Sequence, residues 1–178
     1  MSTNDVMIRM AHNNAWANLR LHRAVGELDD AAYRATRTSF FPSLHLTLAH
    51  ILFVDLFYID SLEGHLRAPP WDENDAFDRS GTFADLRARQ REVDMRLVAC
   101  AGLALDAEVR MQRKDHVQMD TRLNVLLHLF QHQLHHRGQA HAMLSGTDVK
   151  PPQLDEFFLR DELPLRRAEL AELRLPLR

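Results

Sequence analysis

The stretch from Phe40 to Leu66, FFPSLHLTLAHILFVDLFYIDSLEGHL, constrains the fold more than any other part of this 178-residue chain. At about 100° per residue, Leu46, His50, Phe53, Val54, Phe57 and Ser61 share one side of a helix, while Leu44, Leu48, Leu52 and Ile59 fall on the other. A helix that is apolar on both sides has to be covered on both sides, so other helices must surround it. The remaining periodicities supply them. Met7, Met10, Ala11, Ala17, Leu21, Val25 and Leu28 recur at three- and four-residue steps and predict a first helix over 5–27. The Phe40–Leu66 stretch is the second helix, with Pro42 tolerated in its first turn. Phe83, Leu86, Val93, Leu97 and Val98 predict a third over 82–102, with Ser80 or Thr82 as its cap and Gly102 as its stop. A fourth runs over 121–144 and ends before Gly146.

Between these helices, 29–39 reads as a polar connection and APPWDEND, 68–75, as a loop. Residues 106–120 alternate weakly around Arg113–Asp115 and read as a short hairpin. DEFFLRDE near the end reads as a short helix whose Phe157 and Phe158 cap the core. The expected class is all-α: a single domain over 1–178, built as a four-helix bundle with a hairpin before the last long helix.

Composition excludes several functions. Twenty-two Lys and Arg against 25 Asp and Glu give a net charge of −3, with no basic footprint for nucleic acid or an anionic membrane. The one cysteine, Cys100, rules out an internal disulfide and a cysteine-rich zinc site. MSTNDVMIRMAHNN has no apolar signal-peptide core, and the expectation is a cytoplasmic chain without a membrane span. A bound metal would therefore need histidine or carboxylate ligands.

The sequence LHLFQHQLHHRGQAH, 127–141, holds five of the eleven histidines. On a helix His132 and His136 lie about 40° apart on a face shared with Val125, Leu129, Gln139 and Met143. Two imidazoles buried there need a partner, and a cation satisfies both while leaving them neutral. The third ligand should come from the apolar face of a neighbouring helix, where His50 sits among Leu46, Phe53, Val54 and Phe57. His45 and Asp55 lie about 140° from His50 and cannot reach the same point. His128 and His135 fall to one side of the pair and His141 nearly opposite. His12, His22, His65, His116 and His141 read as ordinary core or surface imidazoles. Trp16 with Asn13, Asn14 and Asn18 is a weaker candidate, for a wall of the substrate cavity.

NAWANLRLHRAVGEL, SFFPSLHLTLAHILFVD and HLFQHQLHHRGQAHAML, in that order and spacing, resemble the DinB family over nearly the whole chain. The specific element is HxxxHRGQ, here His132 to Gln139, and His50 in TLAHIL matches the family's first metal ligand. The resemblance implies an up-down-down-up four-helix bundle, commonly homodimeric, with a divalent metal on His50, His132 and His136. It also implies kinship with metal-dependent thiol transferases that use bacillithiol, mycothiol or glutathione.

The first expectation is therefore an enzyme that activates a low-molecular-weight thiol on zinc, or on nickel, iron or manganese, for attack on an electrophilic substrate. A hydrolase using metal-bound water is the alternative, and a non-enzymatic, metal-stabilised stress-response protein is a third reading. No catalytic residue is assigned; His128, His135 and Gln139 are candidates for a base, a ligand-orienting group or a substrate contact. A homodimer is expected on the outer face of the second helix and on Leu123, Leu127, Phe130 and Leu134 of the fourth.

Overall fold

The computed structural model describes residues 1–177 and is mostly helical. In chain order the elements are α1 (Thr3–Val25), α2 (Asp30–Arg34), α3 (Leu44–Leu62), α4 (Trp71–Ser80), α5 (Phe83–Ala101), β1 (Glu108–Gln112), β2 (Val117–Thr121), α6 (Arg122–Leu144) and α7 (Leu163–Leu173), the last preceded by a 3₁₀ turn, Arg160–Glu162. The four long helices close a ring of contacts, since α1 and α3 each pack against both α5 and α6. The hairpin is antiparallel, with Arg110 opposite Met119, and Val109 and Met111 point into the core.

Each long helix begins where a side-chain oxygen accepts an otherwise unpaired backbone N–H. Ser2 and Asp5 form a reciprocal capping box. Ser43, Thr82 and Thr121 accept from the N–H groups of Leu46, Asp85 and Asn124 at 3.1, 3.1 and 3.3 Å. The cap on Ser43 makes α3 shorter than its apolar run: Pro42 lies outside it, and Phe40 and Phe41 belong to an irregular approach.

Two connections differ from expectation. The polar segment 29–39 contains α2, started by the Asp29 carboxylate on the Ala32 N–H at 2.7 Å and pinned by the buried Tyr33. The expected loop at 68–75 instead runs into α4, because its prolines precede the helix rather than interrupt it. Pro70 is the cap residue, and Asp72 and Glu73 lie in the first turn, where the helix dipole favours negative charge. The tail differs too. DEFFLRDE is mostly turn and its helix starts later, at Leu163; Phe157 is buried but Phe158 is 40% exposed.

Both apolar faces of α3 are covered within the chain, for α2, α4 and β1 pack on it along with α5 and α6. Leu44, Leu48, Leu52 and Ile59 are each at most 1% exposed, and burying each such side chain is worth roughly 1.5–3 kcal/mol. The outer face of α3 is thus not available to a second copy. By length and composition α3 could cross a membrane, yet 72% of its most apolar window is buried inside the chain.

Candidate metal centre

The contact between α3 and α6 brings His50 to His132 and His136. One nitrogen from each ring lies within 4.8 Å of the others, and the Nε2 atoms of His50 and His132 are 3.0 Å apart. Imidazole nitrogens at 2.0–2.1 Å from a tetrahedral zinc are roughly 3.4 Å apart, so small side-chain shifts would bring the three rings to one ion. Phe41, in the approach to α3, closes one side, its ring centroid 4.4 Å from that of His50 and 5.6 Å from that of His136.

Protonation also suits a cation. Burial pushes His50 down to about 4, with the neighbouring His136 adding to the effect. Burial, then the charges of His136, His50, His128 and His135, takes His132 down to about 3. His136 is lowered by burial as well, against its hydrogen bond to the Gln139 amide oxygen, which opposes the shift. At neutral pH all three rings are uncharged and carry a lone pair, the form in which imidazole binds metal.

Gln139 fixes which nitrogen of His136 is free. Its Oε1 lies 2.9 Å from His136 Nδ1 and its Nε2 lies 3.1 Å from His135 Nε2. With Nδ1–H donating to Gln139, the lone pair of His136 is on Nε2. Gln139 thus bridges His135 and His136. His132 has no such partner, and its Nδ1 is buried without a hydrogen bond.

These histidines form the floor of an open cavity of about 470 Å³, walled by Phe40, Val54, Phe57, Tyr58 and Trp71, with Arg113 reaching in from the hairpin and His128 and His135 at the sides. His128 packs on Tyr58, with ring centroids 5.0 Å apart. Arg113 is held by Gln118 Oε1 at 2.9 Å and the Tyr58 hydroxyl at 3.2 Å, and it lies over the Phe57 ring. No Asp or Glu lines this cavity among the described residues.

The other histidines lie elsewhere. His45 faces the Tyr33 hydroxyl at 3.2 Å and the Asp78 carbonyl at 3.1 Å. His141 is on the far side of α6, 2.9 Å from the Pro152 carbonyl. His12 and His22 are buried, while His65 and His116 are exposed.

Behind the ligand face lies a buried polar network that the sequence reading missed. Asp55 Oδ2 accepts from Gln90 at 2.8 Å and from Gln133. Asp94 Oδ1 accepts from Gln90, Asn14 and Asn18 at 3.2, 3.3 and 2.9 Å. Arg137 Nη1 donates to Asn14 and Asn18 at 2.7 and 2.9 Å, and to Gln133 at 3.4 Å. Asn14 and Asn18 therefore face the core interior rather than a substrate cavity, and Trp16 packs on Phe157 with centroids 5.5 Å apart.

Burial holds the Asp55 carboxyl well above the usual range, against the opposing hydrogen bonds from Gln90 and Gln133 and the charge of Arg137. Asp94 is raised to about 6, chiefly by burial, and Arg137 is lowered to about 10, also by burial. Gln133 and Arg137 each follow one of the clustered histidines by one residue, so the network anchors the stretch of α6 that carries His132 and His136. The clue in the sequence is three polar pairs at i and i+4: Asn14 and Asn18, Gln90 and Asp94, Gln133 and Arg137.

The model of the DinB family matches residues 1–165. This chain belongs to the DinB family. No curated protein matches its sequence. The DinB-family match spans all four long helices, and with them all three clustered histidines.

Proposed function

We propose that this DinB-family chain is a metal-dependent enzyme, a single four-helix-bundle domain of up-down-down-up type that binds a divalent ion, zinc in the first instance, through His50, His132 and His136. Its reaction is activation of a low-molecular-weight thiol for transfer to an electrophilic substrate. One observation carries this reading: three neutral imidazoles converge on the floor of an open cavity with aromatic walls and a cation but no carboxylate. A divalent ion held by His50, His132 and His136 would lower the pKa of a thiol brought to it.

The chain's own groups supply the rest. Gln139 fixes the His136 tautomer, and Phe41 shields the histidine cluster on one side. Arg113, steadied by Gln118 and Tyr58, offers a positive charge to an anionic group of the thiol, which favours a carboxylate-bearing one such as glutathione. His128 and His135 are the titratable groups beside the triad that can receive the thiol proton. The hydrolytic alternative would have to draw its base from these same two histidines. A homodimer retains less support: of the residues expected to build it, Leu127 and Leu134 are exposed, whereas Phe130 is buried.

The test is zinc-loaded protein incubated with glutathione, bacillithiol or mycothiol and a chlorinated nitroarene, with thiol consumption followed. Zinc-dependent consumption that disappears in His132→Ala is expected. Ester cleavage without thiol consumption would select the hydrolase instead, and inactivity in both assays the non-enzymatic reading.

A further inference from the structure

A second cavity, of about 480 Å³, lies on the other flank of α6 and shares no lining residue with the histidine cavity. Its walls come from α1, α6 and the segment 153–158: Leu134, Leu154 and Phe158 are apolar, while Asn13 and Arg137 are polar. Arg137 is 3% exposed. Its Nη1 serves the internal network, but among the described residues Nε and Nη2 meet no acceptor, and no carboxylate pairs directly with the guanidinium. Asp94, its nearest countercharge in the network, is reached only through the amides of Asn14 and Asn18. The guanidinium lines the cleft, and its planar fork matches a carboxylate.

We propose that this cleft is a second binding site for a small organic monocarboxylate with an apolar body, its carboxylate held by the unshared edge of Arg137. The apolar walls call for the body. Asp155, exposed and also lining the cleft, disfavours a second negative charge and so argues against a phosphate or dicarboxylate. The volume lies in the range of small-molecule sites.

Gly138 gives a test that spares the network. It lines the cleft, and a Cβ built on it meets nothing within 4 Å, so Gly138→Leu adds bulk to the cleft without replacing any side chain of the network. Octanoate and its uncharged isostere octanamide are titrated calorimetrically into the full chain, with and without one equivalent of zinc. Octanoate is expected to bind with or without zinc, at least about tenfold tighter than octanamide, since a charge-assisted pair is worth that much. Gly138→Leu should lose this binding, and Asp155→Asn should tighten octanoate while leaving octanamide unchanged. Four results would overturn the assignment: equal affinities; zinc-dependent binding that survives Gly138→Leu; self-association abolished by Gly138→Leu with no octanoate bound; or no heat from octanoate up to about 10 mM.

Discussion

Acidification separates this histidine cluster from an ordinary one. Three imidazoles with the usual value near 6.5 would each be about nine-tenths protonated at about pH 5.5, leaving roughly one cluster in a thousand in the metal-binding form. Metal affinity would then fall about a thousandfold between about pH 7.5 and 5.5. Here His50 titrates at about 4 and His132 at about 3, so both stay neutral at that acidity. Only His136, lowered but less protected, competes with protons, and the loss should be under about tenfold. The low values that preserve the metal-binding form in acid cost stability there. Folded values below the unfolded 6.5 mean that the unfolded chain takes up protons first, so the metal-free fold weakens as pH drops from 6.5 towards the folded values. The assay is zinc competition against a chromophoric chelator at several pH values, with circular dichroism confirming that the chain is folded at each. A thousandfold loss of affinity in folded protein would refute the reasoning.

Three further outcomes follow from the packing. Gly138→Ala, in the middle of α6 with open space around the new Cβ, should stabilise the chain by about 0.5–1 kcal/mol; a lower thermal midpoint would contradict this. Arg137→Met strands the buried acceptors of Asn14, Asn18 and Gln133 and should cost about 3–5 kcal/mol in urea unfolding; a loss below about 1 kcal/mol would mean the network is not closed as described. His22 is held down to about 3, first by burial and then by Arg87 and Arg137. Stability linked to it is present above 6.5 and lost as pH falls, by about 2 kcal/mol between about pH 6.5 and 5; His22→Phe should flatten that slope, and an unchanged slope would show that His22 does not titrate this way.

The long helices were legible because core-facing positions repeat with the helix period and because Thr82 and Thr121 are strong cap residues. Where the structure departs from expectation, a neighbouring residue decides the local chemistry. The prolines before Trp71 looked like loop residues, although proline at the mouth of a helix followed by acidic residues starts one. Pro42 lies outside α3 because Ser43 after it makes the better cap. His132 and His136 stood out because buried imidazoles a turn apart need a common partner, and His50 because nothing else on its face could satisfy it. The polar network could not be read in the same way. Asn14 with Asn18, or Gln90 with Asp94, looks along one helix like any solvent-facing pair, and only the meeting of α1, α3, α5 and α6 makes the groups partners. Arg113 was hidden for a similar reason, since a hairpin more than fifty residues from Tyr58 in sequence delivers it to the cavity.

The central claim is that His50, His132 and His136 together hold one divalent ion. Chain purified without a metal-affinity tag, loaded with zinc and dialysed, should retain one equivalent by elemental analysis. His50→Ala, His132→Ala and His136→Ala should each lose it while keeping the helical circular dichroism spectrum. Stoichiometric zinc in any of the three folded variants would contradict the claim.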